Sequence, residues 1–345
     1  MELFVLDQSF EAVAVVDAFE SLLWVDRYNT YGDVELYVPA TLAAVQTFQS
    51  DYYLWTRDSE HMMIIEDQEI SSDLEEGNKL IITGRSLESI IERRIVWQQT
   101  DYSGKIQDVI KQLITESIIN PTDQLRQIPN FIFEDNDDPN IDAITVEFQA
   151  TGDNIYNIIT QLLQTHQLGY KITLNSQNQF VFKLYFGEDR SYDQDVNPYV
   201  IFSPKFENII NSNYLESRKD YKNVALVAGS GTGSSRRTVV VPSENTPSGL
   251  LRREVYVEAR DVQNGTDAQL KTRGETALAE NDVAKVFEGE TETTQMFVYN
   301  EDFFLGDIVQ LENEYGMQSR TRVTEMVMSQ DDTGFSAYPT FSVID

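Results

Sequence analysis

Helical periodicity is confined to a few stretches of this chain, and strand-like runs occupy both ends. In "KIQDVIKQLITESI" (105–118), Ile106, Val109, Ile110, Leu113 and Ile114 share one helical face. "TGDNIYNIITQLLQTHQLG" (151–169) repeats the pattern with Ile155, Ile158, Ile159, Leu162 and Leu163. Asp153 is placed to cap its start, and Gly169 to close its end as a C′ glycine. Before them come "LFVLD", "AVAVVDAFESLLWVDRY" (12–28), "DVELYVP", "YYLWTR", "MMIIEDQEI" and "NKLIITGRS", rich in Val, Leu and aromatics and bounded by turn residues. A short helix is expected after Pro39 (40–48), a hairpin turn at "EEGNK" (75–79), and a helical turn after Ser86 as N-cap. Residues 191–345 return to strands, with one clear helix (266–281) that Thr266 would cap. These patterns predict a mainly β, α+β protein. Two barrel-like antiparallel β domains, 1–97 and 191–345, would flank a small α+β domain, 98–190.

The chain carries 57 acidic against 26 basic residues, a net charge of −31. Affinity for phosphates comes from Lys and Arg, so sequence-specific nucleic-acid binding is not expected. There is no cysteine, which excludes disulfides, zinc–thiolate sites and cysteine nucleophiles. The N-terminus has no basic region ahead of its apolar residues and does not read as a signal peptide. No apolar run approaches the length of a membrane span, so stable membrane insertion is not expected either.

"VALVAGSGTGSSRRTVVV" (224–241) has the glycine content of a phosphate-binding loop. Such a loop needs a lysine and then a helix, so that backbone N–H groups meet the phosphate. Here no lysine follows, and "RRTVVV" is a strand. The stretch therefore reads as a hairpin with a glycine-rich tip. Gly229, Gly231, Gly233, Arg236 and Arg237 are its candidate assembly contacts, the arginines facing an acidic neighbour.

The acidic loop "EDNDDPNID" (134–142) fails the spacing of a calcium loop: from Asp135, position 5 is Pro139 and position 6 is Asn140. A less regular cation site near Asp135 stays open beside a plain solvated loop. His61 precedes a strand, and His166 ends a helix where positive charge suits the dipole. Neither sits in a recognisable triad or metal motif. Carboxylates for glycosidase chemistry are abundant, but sequence spacing cannot place two across a cleft. Trp24, Trp55 and Trp97 could line a sugar site, though each lies in or beside a strand and suits core packing. No catalytic residue, metal or cofactor is assigned.

Two stretches carry a resemblance. "SLLWVDRYNTYGDVELYVPAT" (21–41) is an aromatic-rich strand, a glycine turn and an extended strand ending in proline, with Trp24, Tyr28, Gly32, Glu35, Leu36 and Pro39 as matching positions. "YNEDFFLGDIVQLENEYGMQSRTRVTEMVMSQDDTGFSAYPTFS" (299–342) contains a Gly-Asp-x-Val strand and an Arg-Val-x-Glu strand, matching at Leu305, Gly306, Asp307, Val309, Arg322, Val323 and Glu325. Together they resemble the baseplate hub, or tail-associated, proteins of long-tailed bacteriophages, and more narrowly those of siphophages and prophages of Gram-positive hosts. As structure alone, Gly32 permits a turn and Gly306–Asp307 a tight turn that launches a strand.

The resemblance implies a virion protein of the tail tip or baseplate, assembled in the host cytoplasm. It implies a homotrimer whose ring adapts a sixfold tail tube to a threefold tip and encloses the channel for DNA. Expected partners are the distal tail protein, tail tube and tape-measure proteins, and fibre or receptor-binding proteins. Many relatives continue into a wall-cutting domain. Here the last strand pattern runs to the end of the sequence, so the expectation is a structural protein and not an enzyme. The alternatives are a cell-wall glycosidase or a module that binds host polysaccharide.

Overall fold

Strand periodicity in the first and last parts of the chain produces one shared sheet. The computed structural model describes residues 1–73, 77–209, 211–262, 266–290, 296–315 and 318–344. The N-terminal part gives β1 (Leu3–Leu6), β2 (Ala12–Val16), β3 (Ser21–Arg27), β4 (Asp33–Pro39), β5 (Tyr53–Thr56), β6 (Met63–Asp73) and β7 (Gly77–Ser86). Helix α1 (Leu42–Thr47) lies between β4 and β5, with Thr41 Oγ1 accepting from Ala44 N. The run 12–28, expected as one strand, breaks between β2 and β3. Ser86 caps nothing: its hydroxyl accepts instead from Gly32 N, 54 residues away, at 2.8 Å. β6 and β7 pair as a hairpin, and of its expected turn Glu75 and Glu76 lie outside the described residues.

The middle of the chain supplies β8 (Thr100–Lys105), α2 (Ile106–Ile114), β9 (Phe131–Glu134), α3 (Pro139–Asp142), β10 (Thr145–Ala150), α4 (Ile155–Thr165), β11 (Gly169–Leu174) and β12 (Phe180–Tyr185). All five apolar positions expected on one face of α2 are buried. α4 forms as expected, but its N-cap is Asn154, whose side chain accepts from Tyr156 N; Asp153 accepts from Thr151 N instead. Gln167, not Gly169, takes the left-handed turn after α4, with φ 53°. β10 pairs with β8, and β11, β12 and β9 form a second small sheet. Their aliphatic and aromatic side chains make one core with Met62, Ile64, Leu87, Ile90 and Ile91.

The rest of the chain gives β13 (Ile201–Phe202), β14 (Asn211–Ser217), β15 (Val224–Ala228), β16 (Thr238–Val241), β17 (Glu254–Glu258), α5 (Asp267–Glu280), β18 (Ala284–Glu290), β19 (Ile308–Glu312), β20 (Gln318–Asp331) and β21 (Gly334–Val343). Thr266 and Gln269 cap α5 reciprocally, each side chain taking the other's backbone N–H. β15, β16 and β17 form a separate three-stranded sheet that packs Ala225, Val227 and Val241 on Leu270 of α5.

The main sheet has thirteen strands in the order β14-β18-β21-β20-β3-β4-β7-β6-β5-β1-β2, with β19 and β13 branching from β20. Among the described residues neither half closes into the expected barrel. β3 is where an N-terminal barrel would have to meet β2, but its outer edge is taken by β20. The long β20 pairs with β19 over its first part and with β3 over its second, and the register shifts between Val323 and Glu325. Such a bulge bends and twists a strand. The two halves also share one core, in which Trp24, Leu36 and Ile82 pack with Phe202, Phe303, Met326 and Phe341. With 41% strand and 21% helix the protein is mainly β. Among the described residues no helix is long and apolar enough to cross a membrane.

Candidate functional site

The two end motifs, far apart in sequence, meet across the β3–β20 pairing. Arg27 stands opposite Glu325, Asp26 opposite Met326 and Trp24 opposite Met328. Arg27 Nε donates to Glu325 Oε2 at 2.6 Å, and its Nη1 donates to Tyr31 O at 3.0 Å and to Asp33. Gly32 and Leu36 continue the contact into the core, while Glu35 and Pro39 lie away from it along β4.

Tyr28 is the centre of the junction. Its ring is buried, and its hydroxyl is shared between Gln167 O at 3.2 Å and Tyr185 O at 3.3 Å. The Arg322 guanidinium lies 5.4 Å from the ring centroid, and Tyr185 packs edge-on at 5.3 Å. Two glycines make room: a Cβ at Gly169 or at Gly306 would overlap the ring. Gly306 also has φ 88°, a region that L side chains rarely adopt. Arg322 Nη1 donates to Gly306 O at 2.6 Å. Burial pushes the Tyr28 phenol up to about 12. One side chain therefore touches the N-terminal part, the middle part and the C-terminal part of the chain.

Asp307 fixes the neighbouring turn. Its buried carboxylate accepts from Glu188 N (2.7 Å), Phe304 N (3.0 Å) and Arg190 Nε (2.7 Å). Burial raises its pKa, against the opposing pull of Arg190 and the backbone donors. The sequence showed the local turn but gave no sign of Arg190.

A cavity of about 210 Å³ opens beside this turn, lined in part by His61, Lys171, Tyr185, Arg190, Tyr299 and Asp307. Behind it, the buried Asp26 carboxylate accepts from Ser59 Oγ (2.7 Å), Trp24 Nε1 (2.9 Å) and Tyr299 OH (3.2 Å). Burial raises the Asp26 pKa, while His61 and the three donors lower it. His61 Nδ1 lies 3.0 Å from Glu88 Oε1, which also accepts from Ile172 N at 2.8 Å. Burial alone would depress His61. Glu88 and Asp26 outweigh it and lift the imidazole to about 9, and His61 in turn lowers Glu88. Ser59 spends its proton on Asp26 and meets His61 only through the backbone N–H of His61, so serine and histidine do not form a nucleophile–base pair. The arrangement joins three parts of the chain through desolvated polar contacts.

A family model described as "Siphovirus ReqiPepy6 Gp37-like protein" matches residues 2–341. The chain belongs to this family of siphovirus Gp37-like proteins. No curated protein sequence matches it. Its fold is that of solved tail proteins. The prophage tail protein gp18 of Listeria monocytogenes EGD-e is 13% identical, with a TM-score of 0.56 over 99% of this chain and 94% of that one. A tail protein of Neisseria meningitidis MC58 is 12% identical, with a TM-score of 0.60 over 99% and 95%. The 43 kDa tail protein of prophage MuSo2 from Shewanella oneidensis is 11% identical, with a TM-score of 0.58 over 99% and 98%.

In this Gp37-like chain the glycine-rich stretch is the β15–β16 hairpin. Gly229 N donates to Arg237 O at 2.9 Å, and Gly231 (φ 111°) and Gly233 (φ 57°) turn the exposed tip. Both arginines already hold partners within the chain. Arg236 donates to Gly229 O and Ala228 O, each at 2.8 Å, to Tyr256 OH at 2.7 Å, and to Glu258. Arg237 donates to Asp267 at 2.7 Å. The hairpin tip and the Tyr28 junction are separate sites.

The other candidates disperse. In the acidic loop, Asp135 pairs with Lys111 at 2.6 Å, Glu134 pairs with Lys183, and Asp138 caps α3. Among the described residues no group of three His, Asp or Glu side chains is placed to hold a metal. His166 ends α4 as anticipated, but burial lowers its pKa and favours the neutral ring. Trp24 is buried in the shared core, Trp55 packs on Phe4, and Trp97 is 59% exposed.

Proposed function

We propose that this chain is the structural hub of a phage tail tip. Three copies form a ring that adapts a sixfold tail tube to a threefold tip and encloses the DNA channel. The observation that carries this reading is the single open sheet built from both ends of the chain. Each half brings a largely antiparallel set of strands, and the shared β20 holds the two sets in fixed relation, as a rigid ring segment requires. The family match along almost the whole chain and the tail-protein fold support it. A net charge of −31 suits a surface that DNA must pass without adhering.

In this reading the protein is not an enzyme, and it acts in the virion after assembly in the host cytoplasm. Residues 1–97, 98–190 and 191–345 act as its three units. Distal tail, tube and tape-measure proteins contact one face, and fibre or receptor-binding proteins the other. The hairpin tip at Gly229, Gly231 and Gly233 serves as an assembly contact, with Arg236 and Arg237 bracing it. The test is mass photometry of the purified chain with its neighbouring tail proteins, followed by electron microscopy of the particle. Trimers or rings are expected. A chain that stays monomeric at high concentration and joins no ring rules the hub out.

A further inference from the structure

Three arginines cluster where the N-terminal sheet passes into the middle of the chain. Arg93 and Arg94 follow β7, and Arg126 ends a short turn that packs against them. Arg94 Nε donates to Arg126 O at 2.8 Å and Nη1 to Arg93 O at 2.9 Å, and Arg126 Nη2 donates to Ile95 O at 2.7 Å. Backbone carbonyls thus hold the guanidinium groups of Arg94 and Arg126. Among the described residues none of the three makes an ion pair, although the chain has more than twice as many acidic as basic side chains. Burial and the charges of Arg126 and Arg93 lower the Arg94 pKa, so the cluster is held against its own repulsion.

Apolar surface lies beside the charge. Arg126 stacks 4.4 Å from the Trp97 ring centroid. Trp97 is 59% exposed, Ile95 40% and Leu125 93%. Depressions of about 230 and 420 Å³ flank the arginines, one lined by Trp97, Tyr102 and Asp123, the other by Tyr53, Phe180 and Asp51.

We propose that Arg93, Arg94, Arg126 and Trp97 form a docking surface for an acidic polypeptide segment of a partner protein, one that also carries apolar side chains. Carboxylates would complete the guanidinium groups, and apolar side chains would cover Trp97 and Leu125. A long polyanion such as nucleic acid fits less well. It would leave the patch and run over a surface whose summed charge is −31, whereas a short segment touches the patch alone. This surface does not depend on the hub reading.

The probe is a short synthetic peptide of alternating Glu and Leu, titrated into the full-length chain while tryptophan fluorescence and binding heat are followed. Saturable binding that weakens as salt rises is expected. Arg93→Glu, at a side chain with no hydrogen bond to disturb, should weaken it about tenfold. Trp97→Ala should abolish the fluorescence change, and circular dichroism should show both variants folded. No saturable binding, or equal binding to Arg93→Glu, overturns the proposal. Tighter binding of a single-stranded oligonucleotide would assign the patch to nucleic acid instead. Self-association of the chain that Arg93→Glu abolishes would assign it to a second copy, against the proposal.

Discussion

Tyr28 rests on Gly306 so closely that no side chain fits at position 306. The contact joins the end of β3 to the turn before β19, and Gly169 closes it from the middle of the chain. Gly306→Ala should therefore cost at least about 2 kcal/mol, from steric overlap and a positive φ together. Tyr28→Ala removes the ring that the new methyl would strike. The double variant should lose clearly less than the sum of the single losses in urea unfolding. Additive losses would mean that the two residues do not share the contact.

Gly274 tests a second close approach. It lies within α5, where alanine normally gains up to about 1 kcal/mol over glycine. Its Cβ would sit 2.6 Å from a Val241 methyl and 2.8 Å from one of Val227. Gly274→Ala should therefore lower the thermal midpoint, by pushing the helix off the β15–β16–β17 sheet. A raised midpoint would show that this interface yields.

The buried His61–Glu88 pair gives a pH signature. The folded-state pKa of His61, about 9, lies above the ordinary 6.5. The folded protein thus holds this proton more tightly than the unfolded chain. The stabilisation is whole below pH 6.5 and disappears as pH rises through about 9. Urea midpoints should fall across this window, and His61→Gln should flatten the fall. An unchanged slope in that variant would assign the effect to other groups.

Trimming residues 231–234 separates folding from assembly. The tip is exposed, and Arg236 anchors the hairpin behind it. The shortened chain should unfold within about 1 kcal/mol of the parent, because loop closure depends weakly on length. Ring formation with tail proteins should weaken. Unimpaired rings would leave the tip a turn and nothing more.

Several local signals in the sequence lead to the right local structures. The apolar face of α2, the Thr266 cap of α5 and the hairpin from 224 to 241 all depend on residues a few positions apart. Requirements set by distant segments were not visible. Gly169 reads as a helix stop because it follows α4, yet it is needed because Tyr28 arrives from elsewhere. Asp153 and Asn154 are both good caps, and only the geometry of the turn decides between them. Strand patterns likewise reveal strands without saying which edges meet, so a shared open sheet reads as two barrels. Each of the two end motifs is legible by itself. Their meeting, and the roles of Arg190 and the His61–Glu88 pair, depend on contacts that no local spacing encodes.

The shared strand β20 has a consequence for how the protein is made. The Arg27–Glu325 contact spans 298 residues. At about 5–20 residues per second, a ribosome needs between about 15 and 60 seconds to deliver β20 after β3 has emerged. During that interval β3 presents an unsatisfied backbone edge beside apolar side chains, the kind of surface on which nascent chains pair with the wrong partner. The exposure is longest for the first strands made, so yield in the cell should respond to translation speed and to chaperones that shield the N-terminal half until the last strands arrive.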